Sequence, residues 1–349
     1  MSRRERAAAA AAQLLALIVV AASLGPATAG AKAATTTPVA PPAPPVTTPT
    51  APPTPTTPAS PTAPTAVSPV APVAIPPPNP VPRHLRRPIK TVSMRAGGAY
   101  QSIAPAAAVV FDVRSGKVLF SLEPDRRLPI ASLTKMMTAL IVAQRDSPDE
   151  QLMVSRKAAS VPGSRIGVLP QGKLVPLGPV FAGMMLVSGN DAAEALAEHD
   201  AGTEAAFVER MNNRAQGMGL TCTHFSSPHG LQDAGNYSCA RDLAVLARAD
   251  LADPWIRETA ARKRASFPFP IEGGRLEVAN NDYFIQRGLP QIPGAVVTGL
   301  KTGYTDPAGR CYVVTARVRG RELGVVVLHS PDPFAQVPLL LGRAFSRPG

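Results

Sequence analysis

Ser132 and Lys135 stand three apart in Ile130-Ala131-Ser132-Leu133-Thr134-Lys135-Met136-Met137-Thr138-Ala139-Leu140. The apolar positions Leu133, Met136, Met137 and Leu140 recur at helical spacing, which predicts a buried amphipathic helix with Ser132 at or near its start. Residues three apart share a face one turn apart, so the Lys135 ammonium comes within reach of the Ser132 hydroxyl. A serine alcohol is a weak nucleophile until a neighbour takes its proton. A lysine does this once burial and a nearby cation lower its pKa. The pair is a candidate nucleophile and base, although the same spacing alone also describes a capping serine beside a surface lysine.

Two further clusters supply groups that such a pair needs. Ser188-Gly189-Asn190 follows the apolar run Met184-Met185-Leu186-Val187 and opens a helical stretch at Asp191. A hydroxyl and an amide presented from a turn between helices suit proton relay and the holding of a peptide group; a plain helix cap has the same look. Lys301-Thr302-Gly303 ends a strand-like apolar run. A cation and a hydroxyl at a strand edge suit a carboxylate, and glycine lets main chain approach a ligand closely. The plainer reading is an edge strand protected by a lysine.

The elements that must position these clusters occupy about 255 residues from Arg95 onward, enough for one large domain or two intimately joined lobes. Apolar runs at 107–111 and 118–120 flank Arg114-Ser115-Gly116-Lys117 and form a hairpin. Ala-rich periodic segments at 182–201, 204–219 and 240–251 are helical. Strand-like runs follow at 296–301, 311–318 and 323–329, and 339–345 is expected to be a closing helix. Strands at both ends with helices between predict an α/β (α+β) domain: one antiparallel sheet built from both termini, flanked by helices, with a mainly helical lobe inserted.

The first third of the chain has a different character. Arg3, Arg4 and Arg6 precede an apolar run from Ala7 to Leu24 that ends in small residues, the pattern of a secretory signal over residues 1–33. Uncut, it is just long enough to anchor in a bilayer, so secretion and N-terminal membrane anchoring both remain open. Residues 34–94 form a Pro/Thr/Ala-rich linker, with half of the protein's 40 prolines between 35 and 88 and no acid there. Such a segment cannot bury a core and favours extended polyproline II, either as a stalk across a thick wall or as a plain tether. Of the net charge of +12, most sits in the leader and in Arg83, Arg86, Arg87, Lys90 and Arg95. A basic segment outside the folded region suits anionic lipid or wall polymer as well as solvent; with no nucleic-acid motif present, no nucleic-acid partner is expected.

Taken together and in this order, Ser132-x-x-Lys135, Ser188-x-Asn190 and Lys301-Thr302-Gly303 resemble the penicillin-recognising serine enzymes. The resemblance is closer to the low-molecular-mass D-alanyl-D-alanine carboxypeptidases of the serine peptidase S11 family. It extends through Ser188-Gly189-Asn190-Asp191-Ala192-Ala193, Met211-Asn212, Ser227-Pro228-His229-Gly230-Leu231, Ala240-Arg241-Asp242-Leu243-Ala244 and Gly299-Leu300-Lys301-Thr302-Gly303-Tyr304-Thr305, covering roughly residues 104–329. The resemblance implies a β-lactamase/transpeptidase-like fold over 95–349 and an exported, wall-facing enzyme of peptidoglycan biosynthesis and cell shape. Its substrate would be a peptidoglycan stem peptide ending in D-Ala-D-Ala, and β-lactams would acylate it. Ser132 would attack, Lys135 would accept the proton, and Ser188 would relay protons to the leaving amine. Asn190 would hold a substrate amide, and Lys301 and Thr302 the terminal carboxylate. Main-chain N–H groups of Ser132 and Tyr304, beside Gly303, would form the oxyanion hole.

No cofactor or metal is implied, because the five histidines and three cysteines lack ligand spacing. His224 and His229 invite reading as a metal pair, but His229 lies in the family-like Pro-His-Gly-Leu turn and is expected to be structural. Residues 167–181, rich in Gly and Pro, depart from the helix that usually approaches the Ser-x-Asn turn. Cys239 replaces a small hydroxyl residue. Cys222 and Cys239 would close a short loop in an exported protein, with Cys311 a buried thiol, although other pairings are equally legal. With the sequence ending soon after the last expected strand, the C-terminal β-domain and amphipathic anchor of some relatives are not expected, and any anchoring is expected from the N-terminus. Competing readings are D,D-endopeptidase or transpeptidase action at the same site, a β-lactamase-like hydrolase, for which the Glu-x-x-Leu-Asn run is missing, and an inactive wall-binding scaffold.

Overall fold

The unbroken apolar runs at 107–111 and 323–328 mark strands covered on both faces, since alternate residues of a strand point to opposite sides. The structure, a computed structural model, describes residues 93–96, 99–102, 104–231 and 235–346. The expected leader and nearly all of the expected linker lie outside the described residues.

In chain order the first half contains β1 (Ser93–Ala96), β2 (Ala99–Ser102), β3 (Ala107–Asp112), β4 (Val118–Leu122), β5 (Leu128–Pro129), a 3-10 turn (Ala131–Thr134), α1 (Lys135–Arg145), β6 (Gln151–Met153), α2 (Arg156–Ser160), β7 (Leu174–Pro176), α3 (Leu177–Leu186), α4 (Asn190–Ala201) and α5 (Glu204–Gly217). The second half contains β8 (Tyr237–Ser238), α6 (Ala240–Ala252), α7 (Pro254–Ala260), β9 (Arg264–Pro268), β10 (Arg275–Ala279), α8 (Tyr283–Arg287), β11 (Val296–Thr305), β12 (Gly309–Val318), β13 (Arg321–Ser330) and α9 (Pro333–Phe345). Strand β1 pairs with β2 across the expected boundary at residue 95.

The main sheet has five antiparallel strands in the order β11-β12-β13-β3-β4, so the N-terminal hairpin joins the C-terminal meander as expected. Val326 pairs with Val109 and Val325 with Val110. Val109, Phe111, Val313, Val326 and Leu328 turn toward the helical side, where α1, α3, α4 and α6 pack. Ala108, Val110, Val314, Val325 and Val327 turn toward α9 and meet Val337, Leu340 and Leu341.

The sequence predicts α1 as a buried helix, and every residue from Lys135 to Val142 is buried. Solvent reaches the helix only in its last turn, at Gln144 and Arg145, and its polar members Lys135 and Thr138 are buried. At 167–181, where the sequence departs from the expected pattern, the structure still provides a helix. Helix α3 begins at Leu177, immediately after Pro176, tolerates Pro179 in its first turn and reaches the Ser188 turn. Phe181 stacks on Trp255 with ring centroids 4.0 Å apart and fastens this helix to α7.

A disulfide joins Cys222 to Cys239, the residue that caps α6. Cys311 is a free, buried thiol. Burial pushes its pKa up to about 12.

Candidate active site

Lys135 is the first residue of α1, and Ser132 sits in the 3-10 turn that precedes it. The turn begins at Ala131, whose φ of 48° lies in the left-handed region that non-glycine residues avoid. Thr134 Oγ1 donates back to the Ala131 carbonyl at 2.8 Å, and the 227–230 turn presses on the other side. A side chain at Gly230, which has φ +75°, would meet the Ala131 oxygen at 2.1 Å. Only glycine fits there, and its close approach braces the strained turn.

The Lys135 ammonium is fully buried and donates three hydrogen bonds: to Ser132 Oγ at 3.0 Å, Asn190 Oδ1 at 2.7 Å and the His229 carbonyl at 2.8 Å. All three acceptors are neutral. Burial, and next the charge of Lys301, holds the Lys135 pKa well below the ordinary lysine value, with Asp191 pulling the other way. A neutral amine with its lone pair beside Ser132 can accept the serine proton, which is what the spacing alone suggests.

Lys301 lies on β11, the edge strand of the sheet, and the strand continues beyond the expected end to Thr305. Its ammonium is also buried, donating to Ser188 Oγ at 2.9 Å and to the Thr302 carbonyl at 3.0 Å. Burial lowers its pKa to about 8, with Asp282 opposing the fall. Ser188 has φ 62°, so both serines of the site sit on or beside strained main chain. Ser188 is engaged by Lys301, and Asn190 is the side chain that reaches Lys135. The other end of the Asn190 amide donates to the Pro162 carbonyl at 2.8 Å, so both ends are spent inside the protein.

Strand β11 crosses directly over the turn that carries Ser132. A Cβ at Gly303 would lie 2.9 Å from the Ile130 carbonyl oxygen and 3.0 Å from the Ser132 nitrogen. Glycine thus lets the Tyr304 and Ser132 main chains converge. Ser132, Ser188, Thr302, Gly303 and Tyr304 line one cleft of about 260 Å³. The structure adds Ser164, Asn281, Arg310 and Tyr312 to its walls. Arg310 is the cross-strand partner of Tyr304, and its guanidinium donates to the Pro331 carbonyl at 3.1 Å. These four carry no motif of their own. The hairpin register between β11 and β12 was the available signal for Arg310 and Tyr312.

His224 does not pair with His229 around a common centre. His224 Nδ1 lies 2.7 Å from the Gly235 carbonyl. His229 does approach Glu194 and Glu204 closely enough to frame a cation, but the Lys157 ammonium is already there, 2.6 Å from Glu194 and paired with Glu204. Asp146, Glu150 and His199 form a second grouping at the surface, with His199 Nε2 2.9 Å from Glu150.

Residues 93–332 match the family profile described as D-alanyl-D-alanine carboxypeptidase, peptidase S11. The chain is 32% identical over 252 residues to the D-alanyl-D-alanine carboxypeptidase DacF of Bacillus subtilis, covering 69% of this chain and 62% of that protein. It therefore spans less than two thirds of that relative's length. Among solved structures, a D-alanyl-D-alanine carboxypeptidase from Mycobacterium tuberculosis superposes with a TM-score of 0.64 at 28% identity, over 75% of this chain and 96% of that one. The S96A mutant of the Streptomyces K15 DD-transpeptidase gives 0.64 at 25% identity, over 71% and 100%.

Proposed function

The chain belongs to the D-alanyl-D-alanine carboxypeptidase family, peptidase S11, and from that premise we propose that it is an exported serine carboxypeptidase that removes the terminal D-alanine from peptidoglycan stem peptides and is acylated by penicillins. The observation that carries this reading is the buried Lys135 ammonium, low in pKa and 3.0 Å from the Oγ of Ser132, which lines one cleft with Thr302 and Arg310.

In this mechanism the Ser132 hydroxyl gives its proton to neutral Lys135 as its oxygen bonds to the carbonyl carbon of the penultimate D-alanine. The oxyanion forms between the Ser132 and Tyr304 N–H groups, which Gly303 lets converge. The C–N bond then breaks. The leaving amine takes the proton that Lys135 accepted, passed on through Ser188 at the cleft, so that D-alanine departs and Lys135 is neutral again while Lys301 keeps its charge. Water attacks the acyl-serine ester, Lys135 takes its proton, and the serine oxygen leaves with a proton returned from the lysine. A β-lactam follows the first half of this course, but its leaving nitrogen stays tethered.

Thr302 and charged Lys301 attract the substrate's terminal carboxylate, and Arg310 is the further cation on the same wall. Asn190 holds Lys135 in place; gripping a substrate amide as well would require it to release Pro162. The leader pattern and the Cys222–Cys239 disulfide both support export, since disulfides persist in oxidising compartments. No helix among the described residues is long and apolar enough to cross a membrane.

The test is intact-mass spectrometry of the full chain with and without penicillin, beside Ser132→Ala, together with D-alanine release from a pentapeptide. The expected result is one drug adduct, absent from the variant, and free D-alanine. A folded wild-type chain that takes no adduct refutes the nucleophile. The likeness to a DD-transpeptidase supports a second reading, transfer of the acyl group to an amine, which an added acceptor peptide would reveal as a crosslinked product.

A further inference from the structure

Asp191 follows the Ser188-x-Asn190 turn and is 1% exposed, yet its carboxylate makes no ion pair among the described contacts. Its oxygens accept main-chain N–H groups: Oδ1 from Ile166 at 2.9 Å and Ala192 at 2.8 Å, Oδ2 from Gly167 at 2.9 Å. Asn190 holds the same segment, donating its main-chain N–H to the Ser164 carbonyl at 2.7 Å and its amide to the Pro162 carbonyl. Residues 162–167 have no regular secondary structure, so four main-chain groups that would otherwise lack partners are satisfied from one short turn.

Packing follows the same plan. Ile166 fills the space over Gly183, where a Cβ would lie 2.1 Å from its Cδ1, and also crowds Gly189. Gly163, with φ +83°, brings the strap against the Asn190 amide at a distance that no side chain permits. The strap so held delivers Ser164 to the cleft that contains Ser132, Thr302 and Tyr304.

We propose that Asp191 is a positioning residue that fixes residues 162–167 as the wall of the cleft facing strand β11, and that Ser164 on this wall contacts the acyl half of the peptide substrate. The inference rests on the carboxypeptidase reading and extends it to the part of the substrate that stays on the enzyme. The same carboxylate acts on the base. The charges that face Lys135 are Lys301 from β11 and Asp191 from α4, while Asp282 faces Lys301; of these, Asp191 alone raises the Lys135 pKa directly. Its position in the first turn of α4 also suits the positive end of that helix.

The test uses the full chain. Asp191→Asn keeps the size but turns one accepting oxygen into a donor facing an N–H group. With hydrogen bonds to a charged group lost, kcat/KM for a D-Ala-D-Ala peptide is expected to fall about tenfold, mainly through KM. The acidic limb of its pH profile moves to lower pH, which a purely structural role would not cause. Trypsin is expected to cut after the exposed Arg165 faster in the variant than in the wild type. Ser164→Leu, at an exposed position, is expected to raise KM with kcat nearly unchanged. Unaltered cleavage at Arg165, or an unaltered pH profile in a folded Asp191→Asn protein, overturns the proposal. If that variant does not fold, an unchanged KM in Ser164→Leu overturns the assignment of the wall. A wild type that neither takes penicillin nor releases D-alanine refutes the functional reading itself, while the proteolysis result still judges the clamp.

Discussion

Replacing Gly303 with alanine adds one methyl group at the point where β11 rests on the turn that carries Ser132. The new Cβ would lie 2.9 Å from the Ile130 oxygen, 3.0 Å from the Ser132 nitrogen and 3.2 Å from the Leu133 nitrogen. All three are main-chain atoms, so no flexible side chain can move aside. The turn cannot retreat either, because Gly230 presses on the Ala131 carbonyl from its other side. Restoring ordinary separations requires main-chain shifts of roughly half an ångström, and inserting a methyl group into packing this close costs about 1–3 kcal/mol. A displacement of about 1 Å in a reacting group costs on the order of a hundredfold in rate, so half of that predicts roughly a tenfold loss. The assay is stopped-flow acylation by a fluorescent penicillin, with melting temperature measured in parallel. Gly217→Ala is the control, since a Cβ there meets nothing within 4 Å. The expectation is slower acylation and a lower Tm at Gly303 and neither effect at Gly217. Acylation within twofold of wild type in Gly303→Ala would falsify the claim that this crossing sets the position of Ser132.

The pH dependence of acylation follows from the two lysines. The rate is expected to rise as pH climbs through the lowered Lys135 pKa and to fall above about pH 8 for substrates with a carboxylate, as Lys301 loses its proton; a rate still climbing at pH 10 contradicts the assignment. Removing the disulfide as Cys222→Ser with Cys239→Ser opens a loop with sequence separation 17, a loss of about 3 kcal/mol and roughly 6–12 °C in Tm; an unchanged melt under reducing and oxidising conditions shows that the crosslink contributes nothing. Asp250 is fully buried with no hydrogen-bond partner on either oxygen among the described residues, and burial raises its pKa well above the ordinary value. An acid whose folded pKa exceeds its unfolded value of about 4 destabilises the fold above that pH, a penalty relieved on acidification. Asp250→Asn is therefore expected to raise Tm at pH 7, with the two melting curves converging near pH 4. An equal shift at both pH values would remove ionisation as the cause.

The parts of this architecture visible in the sequence are those governed by local periodicity. The hairpin at 107–122 and the three late strands stand out because a sheet buried on both faces demands continuous apolar runs. Ser132 and Lys135 are legible because three residues make one helical turn. What escaped is set by tertiary proximity. Ser164 enters the cleft only because Asp191 holds its loop, and nothing in Pro162-Gly163-Ser164-Arg165-Ile166-Gly167 announces that tie. Helix α3 was masked by Gly178 and Pro179, residues that are unfavourable within a helix but tolerated in its first turn. The burial of α1 was legible too, and what the sequence did not show is where its polar members find acceptors, Thr138 on the Pro228 carbonyl at 2.6 Å.

Two lysines in one buried cleft raise an electrostatic question that the surrounding residues answer. Each ammonium disfavours the other, so the pair titrates as a coupled system, and the environment decides which proton leaves first. Around Lys135 the hydrogen-bond acceptors are Ser132, Asn190 and a carbonyl, all uncharged, and the one nearby acid, Asp191, has its oxygens occupied by N–H groups of the strap. Lys301 has Asp282 raising its pKa against burial, and its donors go to Ser188 and its own strand. In the proposed mechanism Lys135 is the lysine that gives up its proton, since burial and then the charge of Lys301 lower its pKa, and loss of that charge removes a repulsion from Lys301. In that mechanism, one lysine serves as base and the other as cation although their side chains are chemically the same.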